Sequence, residues 1–167
     1  TKNPKVVLRF QTLNLKKLLM QMIAEFNIRE KETEIRWRFS EETFLVRADG
    51  DRLARAFENL ISNAIKYGDN ERGIDIIGSM SNEIGSIRII NYGLPIPEFE
   101  LPEIFNQFYR VEKSRSSETG GTGLGLSIAK NIIELHQGTI TVQSSDSCTS
   151  FEVILPLSSS NSSISSF

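Results

Sequence analysis

The stretch TGGTGLGLSIAKNIIELH, Thr119 to His136, sets four glycines, Gly120, Gly121, Gly123 and Gly125, against the start of an apolar-periodic segment. Glycine has no Cβ, so its backbone can approach a ligand closely. A helix start offers unpaired N–H groups and the positive end of the helix dipole. Together they make a cradle for an anion, usually phosphate. A plain glycine-rich surface loop before a helix is the other reading, because short glycine patterns match by chance. What precedes the loop decides the fold. No strand runs directly into it, and its spacing is not G-x-G-x-x-G. The chain also has no G-x-x-x-x-G-K-[ST] segment. A doubly wound dinucleotide fold and a P-loop are therefore excluded.

Upstream, Leu15, Leu18, Leu19, Met22, Ile23 and Phe26 recur at helical spacing, predicting a helix from Asn14, its N-cap, to about Lys31. In EIRWRFS, Ile35, Trp37 and Phe39 alternate with polar residues, the period of a half-buried strand. FLVRAD reads as a short strand ending at Asp49. The next helix carries Leu53, Phe57, Leu60, Ile61, Ala64 and Ile65 on one face and stops at Gly68. GIDIIGSM and GSIRIINYG read as a hairpin joined by SNEIG. LPIPEFELPEIF holds three prolines and is no continuous helix. NQFYRVEKSRSSETGG is polar and irregular, and a loop of this length is often a functional lid. A helix over about Leu124–His136 and a last strand pair, GTITVQSS and TSFEVILP, follow. The order α, β, β, α, β, β, loop, α, β, β implies an α+β fold, a mixed sheet with helices on one face.

The 167 residues fit one domain, and 39% hydrophobic content suffices for a core. A net charge of −2 without like-charge blocks argues against nucleic acid as the main partner. The one cysteine, Cys148, forms no internal disulfide and reads as a core or loop thiol. The one histidine, His136, excludes a multi-histidine metal site. No apolar run reaches membrane-span length, and the N-terminus shows no signal peptide pattern. The start without methionine suggests a piece of something longer, and the serine-rich stretch 158–167 is expected to be a disordered tail.

In ENLISNAIKY, Asn59 and Asn63 stand at i and i+4, on one side of a helix, with Lys66 and Tyr67 one turn further. They read either as satisfied amides at the edge of an apolar face or as oxygen ligands for Mg²⁺ and a nearby phosphate. A resemblance bears on the choice. ENLISNAIKY, NYGLPIP, IFNQFYR and GGTGLGLSIAK resemble, in order, the N, G1, F and G2 boxes of the histidine kinase catalytic and ATP-binding domain, the fold shared with the gyrase, Hsp90 and MutL ATPases. The likeness covers about Leu13 to Pro156, and four ordered motifs are far more specific than one. The segment from FYRVEKS to HQGTI, with its altered G1 box, is also similar to vancomycin-resistance sensor kinases of the VanS type.

The resemblance implies a two-layer α/β sandwich of the Bergerat type, with residues 1–12 as a linker and first strand, 13–157 as the catalytic domain, and 158–167 as the tail. It implies ATP and Mg²⁺ as cofactors, with Asn63 on the metal and Asn59 against phosphates or metal. Lys66 and Tyr67 would line the nucleotide. Arg110, Lys113 and Arg115 would reach the phosphates from the lid. Gly121, Gly123 and Gly125 would let it close, with backbone N–H groups from Thr122 through Leu124 to Leu126 facing phosphate oxygens. Asn91, Gly93, Ile96, Tyr109 and Thr149 would complete the nucleotide site, and Phe105 and Phe108 would pack the base of the lid. Asn59, Lys66 and Arg110 would be the catalytic set.

The hydrolases of this fold carry a glutamate general base where this chain has Asn59, and an amide takes no proton from water at neutral pH. Phosphoryl transfer to a protein acceptor is therefore expected, not hydrolysis. The acceptor histidine would lie in a dimerisation hairpin outside this chain, so the chain alone would bind nucleotide without phosphorylating itself. His136, after the G2 helix, would be structural. A response regulator, homodimerisation and a bacterial membrane anchor with a cytoplasmic catalytic domain follow from the same family. In the G1 box, Asn91 stands in place of the usual Asp and Pro95 in place of the second Gly. Asn91 is expected to accept from adenine through its carbonyl without charge assistance, weakening the contact by about 1 kcal/mol. Weak binding, a rearranged pocket and a degenerate kinase all remain open. Other readings are a nucleotide-binding regulatory module, an ATP hydrolase, and an interaction domain without nucleotide.

Overall fold

The computed structural model describes residues 7–107, 109, 125–159 and 161. The described chain runs β1 (Gln11–Asn14), α1 (Leu15–Arg29), β2 (Ile35–Phe39), β3 (Leu45–Ala48), α2 (Gly50–Tyr67), β4 (Ile74–Ser81) and β5 (Ile84–Asn91). A 3₁₀ helix (Glu98–Glu103), α3 (Gly125–Leu135), β6 (Thr139–Ser144) and β7 (Thr149–Pro156) complete it.

The helix starts are set by side chains. Asn14 Oδ1 accepts from the N–H of Lys16 and of Phe44, both at 3.1 Å, so it caps α1 and pins the strand that leads into it. Asp49 does the same for α2, accepting from Arg52 N–H at 3.3 Å. Each helix then buries one stripe: Leu15, Leu19, Met22, Ile23 and Phe26 on α1, and Leu53, Ala56, Phe57, Leu60, Ile61 and Ala64 on α2. α3 buries Ala129, Ile132 and Ile133. Full burial of such aliphatic and aromatic side chains stabilises by about 1.5–3 kcal/mol each.

The helices cover one face of a five-stranded sheet of order β2-β4-β5-β7-β6. β2 and β4 are parallel, as a connection carrying a helix requires, and the other pairs are antiparallel. Strand period puts Ile74, Ile76, Ile87, Ile89, Ile140, Phe151, Val153 and Leu155 inside. Outside, Ser86 Oγ donates to Glu152 at 2.8 Å across β5 and β7. The expected α+β class and mixed sheet with helices on one face are the observed ones.

Four expectations are corrected. Ile35 is buried, but Trp37 on the same strand is 44% exposed. β2 is an edge strand, and the Trp37 ring is met by Lys16, whose Nζ lies over it 5.7 Å from the centroid, and by the Phe39 ring at 6.0 Å. The SNEIG connection shortens to Asn82 and Glu83, because Ser81 pairs with Ile84; Asn82 takes the left-handed turn at φ 54°. The first strand straddles the expected boundary at residue 12, since Gln11–Asn14 pairs antiparallel with β3. The expected tail is partly docked: Ser158 N–H donates to Leu45 O at 2.9 Å, and Asn161 Oδ1 accepts from Leu45 N–H at 3.0 Å.

Candidate functional site

The end of α2, the end of β5 and the start of β7 converge on a cavity of about 500 Å³. Two glycines make that convergence possible. A Cβ on Gly93 would sit 1.9 Å from Tyr67 O, and one on Gly68 would sit 2.6 Å from Ala64 O and 3.2 Å from Asn91 Cβ. The segment after β5 therefore runs in backbone contact with the C-terminal turn of α2, which only glycine permits.

Strand register then fixes the inner end. Asn91, last in β5, pairs with Thr149, first in β7, and Thr149 pairs with Ser144 of β6. Directly opposed residues hold their Cβ atoms about 5 Å apart. Asn91 and Thr149 are 3% and 2% exposed, the enclosed polar side chains of this cavity among the described residues. Apolar walls come from Ile96, Ile104, Leu126 and Phe151, while α2 contributes Asn63, Lys66 and Tyr67.

Hydrogen bonds hold the Asn91–Pro97 segment from both sides. Ile96 N–H donates to Ser144 Oγ at 2.8 Å, and Ser144 Oγ lies 2.7 Å from Thr149 Oγ1. On the open face of the sheet, Tyr92 O–H donates to Asp75 Oδ2 at 2.5 Å. The Arg36 guanidinium grips the same carboxylate through Nε at 2.9 Å and a second N–H at 3.2 Å. The Arg36 hydrogen bond is the main cause that holds Asp75 below its ordinary range, and the bond to Asp75 pushes the Tyr92 hydroxyl up. The Arg72 guanidinium stacks over the Tyr92 ring, 4.6 Å from its centroid. Tyr92, itself a lining residue, is thus clamped by Asp75 and Arg72 from outside the cavity.

The Asn91 amide is oriented by the same segment. Its Oδ1 accepts from Gly93 N–H at 3.3 Å. The reverse orientation would set two donors against each other. A carbonyl oxygen carries two lone pairs, so this bond leaves Oδ1 able to accept again, with the amide nitrogen as a donor beside it.

Of the residues expected to form the site, Asn63, Lys66, Tyr67, Asn91, Gly93, Ile96, Leu126 and Thr149 line the cavity. Asn59, Tyr109 and Gly125 do not. Tyr109 O–H is turned to Glu100 Oε1 at 2.5 Å, and Gly125 opens α3 directly above Asn59, where an added Cβ would be 3.9 Å from Asn59 Cβ. Arg110, Lys113, Arg115, Gly121, Thr122, Gly123, Leu124 and Phe108 lie outside the described residues. Phe105 packs edge-on against Phe151 at 6.0 Å, the expected packing role. Sequence reading missed Tyr92, Asp69, Leu94, Ile104, Asp146 and Phe151 as lining residues. Tyr92 alone had a signal, its place between Asn91 and Gly93.

Mg²⁺ has a modest set of partners here. No group of three or more His, Cys, Asp or Glu side chains gathers for a metal among the described residues. The amide oxygen of Asn63 is the fitting donor, in the manner of an ion held mainly by substrate phosphates and water. His136 is placed away from the cavity: its Nε2 accepts from Asp49 N–H at 3.1 Å and its Nδ1 donates to Ile132 O at 2.8 Å.

Residues 48–159 match the sequence profile of the histidine kinase-, DNA gyrase B- and HSP90-like ATPases. The sensor protein VanS of Enterococcus faecium is 41% identical over 148 residues, 86% of this chain and 38% of VanS. The chain therefore spans well under half the length of that relative. The nucleotide-free catalytic domain of histidine kinase ThkA superposes with a TM-score of 0.78 at 29% identity, covering 89% of this chain and 95% of that one. ThkA has also been solved in complex with response regulator protein TrrA, at TM-score 0.74 and 28% identity, covering 90% of this chain and 42% of that one.

Proposed function

The chain belongs to the histidine kinase-, DNA gyrase B- and HSP90-like ATPase family, as a histidine kinase ATP-binding catalytic domain, and from that premise we propose that it holds Mg-ATP and presents the γ-phosphate to a histidine on a dimerisation hairpin outside this chain. The phosphoryl group then passes to a response regulator, as the ThkA–TrrA complex illustrates for that kinase. The full protein is a membrane-anchored homodimer with this domain in the cytoplasm; no helix among the described residues is long and apolar enough to cross a membrane.

The observation that carries the reading is the cavity itself. An apolar slot ends in two enclosed polar groups, Asn91 and Thr149, and is flanked on α2 by Asn63 and Lys66. A flat base fits the slot, which would leave the phosphates beside α2. Bound Mg²⁺ would supply charge neutralisation for the phosphates. Asn63 would orient that end and Lys66 would add positive charge. Such positioning and electrostatics are what phosphoryl transfer needs from a protein. Asn59 offers no base to water, which favours transfer over hydrolysis.

Calorimetric titration with ATP tests the binding site. Wild type binds with a Mg²⁺ requirement, and Asn63→Ala weakens Mg-dependent binding roughly tenfold, about 1.4 kcal/mol, with little change in melting temperature. Equal affinity for wild type and Asn63→Ala would remove Asn63 from the metal. A regulatory module with weakened catalysis is the second reading, raised by Asn91 and Pro95 in the altered G1 box. Bound nucleotide without any phosphohistidine in the full-length protein would move it ahead.

A further inference from the structure

We infer that Ser144, at the end of β6, is a positioning residue for the nucleotide: its hydroxyl holds the Pro95–Pro97 wall of the cavity and orients the Thr149 hydroxyl inside it. This rests on the nucleotide-binding reading above. Ser144 itself is half-buried and stands behind the cavity, lining the neighbouring groove rather than the slot.

Pro95 and Pro97 have no backbone N–H, so Ile96 supplies the one main-chain donor of this tripeptide. Each proline fixes its own φ and biases the residue before it toward extended backbone. The tripeptide is thus a stiff rod with a single N–H hook, and Ser144 Oγ accepts from that N–H at 2.8 Å. Pro95 and Ile96 both line the cavity, so the hook sets where its wall stands. The backbone pairing of Ser144 with Thr149 does not use the side-chain oxygen.

The same oxygen lies 2.7 Å from Thr149 Oγ1. A serine hydroxyl carries one proton and two lone pairs. One lone pair takes the Ile96 N–H, and the proton goes to Thr149 Oγ1, the acceptor it lies against. That bond leaves the Thr149 proton free for a ring nitrogen of the base. Each bond in such a chain polarises the next: Ile96 N–H to Ser144, Ser144 O–H to Thr149, Thr149 O–H to the nucleotide. One hydroxyl outside the slot thereby sets both a wall and the enclosed donor.

Ser144→Thr and Ser144→Val share one shape and differ in the hydroxyl alone. Titration of ATP and of ADP with Mg²⁺ into this chain reads that difference. Ser144→Thr should bind within about twofold of wild type, and Ser144→Val about fivefold to tenfold more weakly. The factor should be the same for ATP and ADP, because the loss arises at the base end, and the stoichiometry should stay at the wild-type value. Ser144→Ala, which adds no bulk, should repeat the loss. In a Thr149→Val background, where the chain of hydroxyls is already cut, Ser144→Ala should cost less than it does alone. Unchanged affinity in Ser144→Val and Ser144→Ala overturns the inference and leaves the nucleotide site standing. Equal weakening of Ser144→Thr and Ser144→Val does the same, as does a reduced stoichiometry at the wild-type Kd, the mark of an unfolded fraction. An equal cost of Ser144→Ala in both backgrounds overturns the link to Thr149. Binding of neither nucleotide by the wild type at millimolar concentration overturns the nucleotide site itself.

Discussion

Asp49 with His136, and Asn91 with Thr149, are two polar pairs sunk in one apolar domain, at exposures of 9%, 4%, 3% and 2%. They differ in how their hydrogen-bonding capacity is used. In the first pair it is used up within the protein. His136 is bonded at both ring nitrogens, Asp49 accepts from Arg9 and Arg52 N–H, and Phe10 stacks edge-on against the imidazole at 5.3 Å. This cluster joins the segment before β1, the start of α2 and the end of α3, and each of its polar groups is bonded within the protein. In the second pair the protein takes one end of each group and leaves the other to the cavity. Burial alone thus does not separate structural from functional polar groups; the unspent donor or acceptor does.

The sharpest way to break the open pair is to move the backbone that orients it. Gly93→Ala would drive a methyl group into Tyr67 O. We expect a loss of about 3 kcal/mol or more, read by chemical denaturation, with nucleotide binding lost at millimolar concentration. A variant that melts normally and binds ATP normally would show that the contact between α2 and the Asn91–Pro97 segment is not needed.

Breaking the saturated pair should do the opposite. His136→Ala leaves Asp49 N–H buried without a partner and opens a cavity, at a cost of about 2–4 kcal/mol. Melting should fall by several degrees while ATP affinity stays within about twofold. Affinity that falls tenfold along with stability would join the two clusters and erase the distinction. Acid probes the same cluster. The Arg9 N–H, working against desolvation, is the main cause that holds Asp49 below the ordinary carboxylate range. Its lowered value means that its stabilising contribution is present above about pH 4, the unfolded value. That contribution is lost as pH falls through the folded value.

The smallest expected effect sharpens the comparison rather than breaking it. Tyr92→Phe removes the hydroxyl bonded to Asp75 but leaves the Arg36 grip on that half-exposed carboxylate. Stability should drop by less than about 1 kcal/mol and ATP affinity by about twofold. The stability difference should shrink as pH falls through the lowered value of Asp75. A large affinity loss would make the outer clamp as important as the inner amide.

Local patterns made much of this legible. Asn14 read as a cap and is one, the α2 stripe from Leu53 to Ala64 is the buried one, and the β4–β5 hairpin forms as its alternation implied. The N and G1 boxes pointed to Asn63, Lys66 and Asn91, which line one cavity with Thr149 of the last strand pair. What stayed hidden depends on partners far along the chain. β1 is four residues of mixed polarity that become a strand only against β3. Trp37 is exposed because β2 lies at the sheet edge, which periodicity within a strand does not report. Asn161 closes onto Leu45 across 116 residues of sequence. The orientation of Asn91 is a local matter, yet residue type alone left both ends of the amide equivalent until Gly93 N–H chose one.

Transfer of a labelled γ-phosphate tests the central claim most directly. This chain would be incubated with Mg-ATP, with and without the histidine-bearing hairpin of the longer protein. We predict acid-labile, base-stable label on the hairpin when it is present, and no steady phosphate release from the chain alone. Sustained phosphate release without an acceptor, together with an unlabelled hairpin, would contradict the account and return Asn59 to the role of hydrolytic machinery.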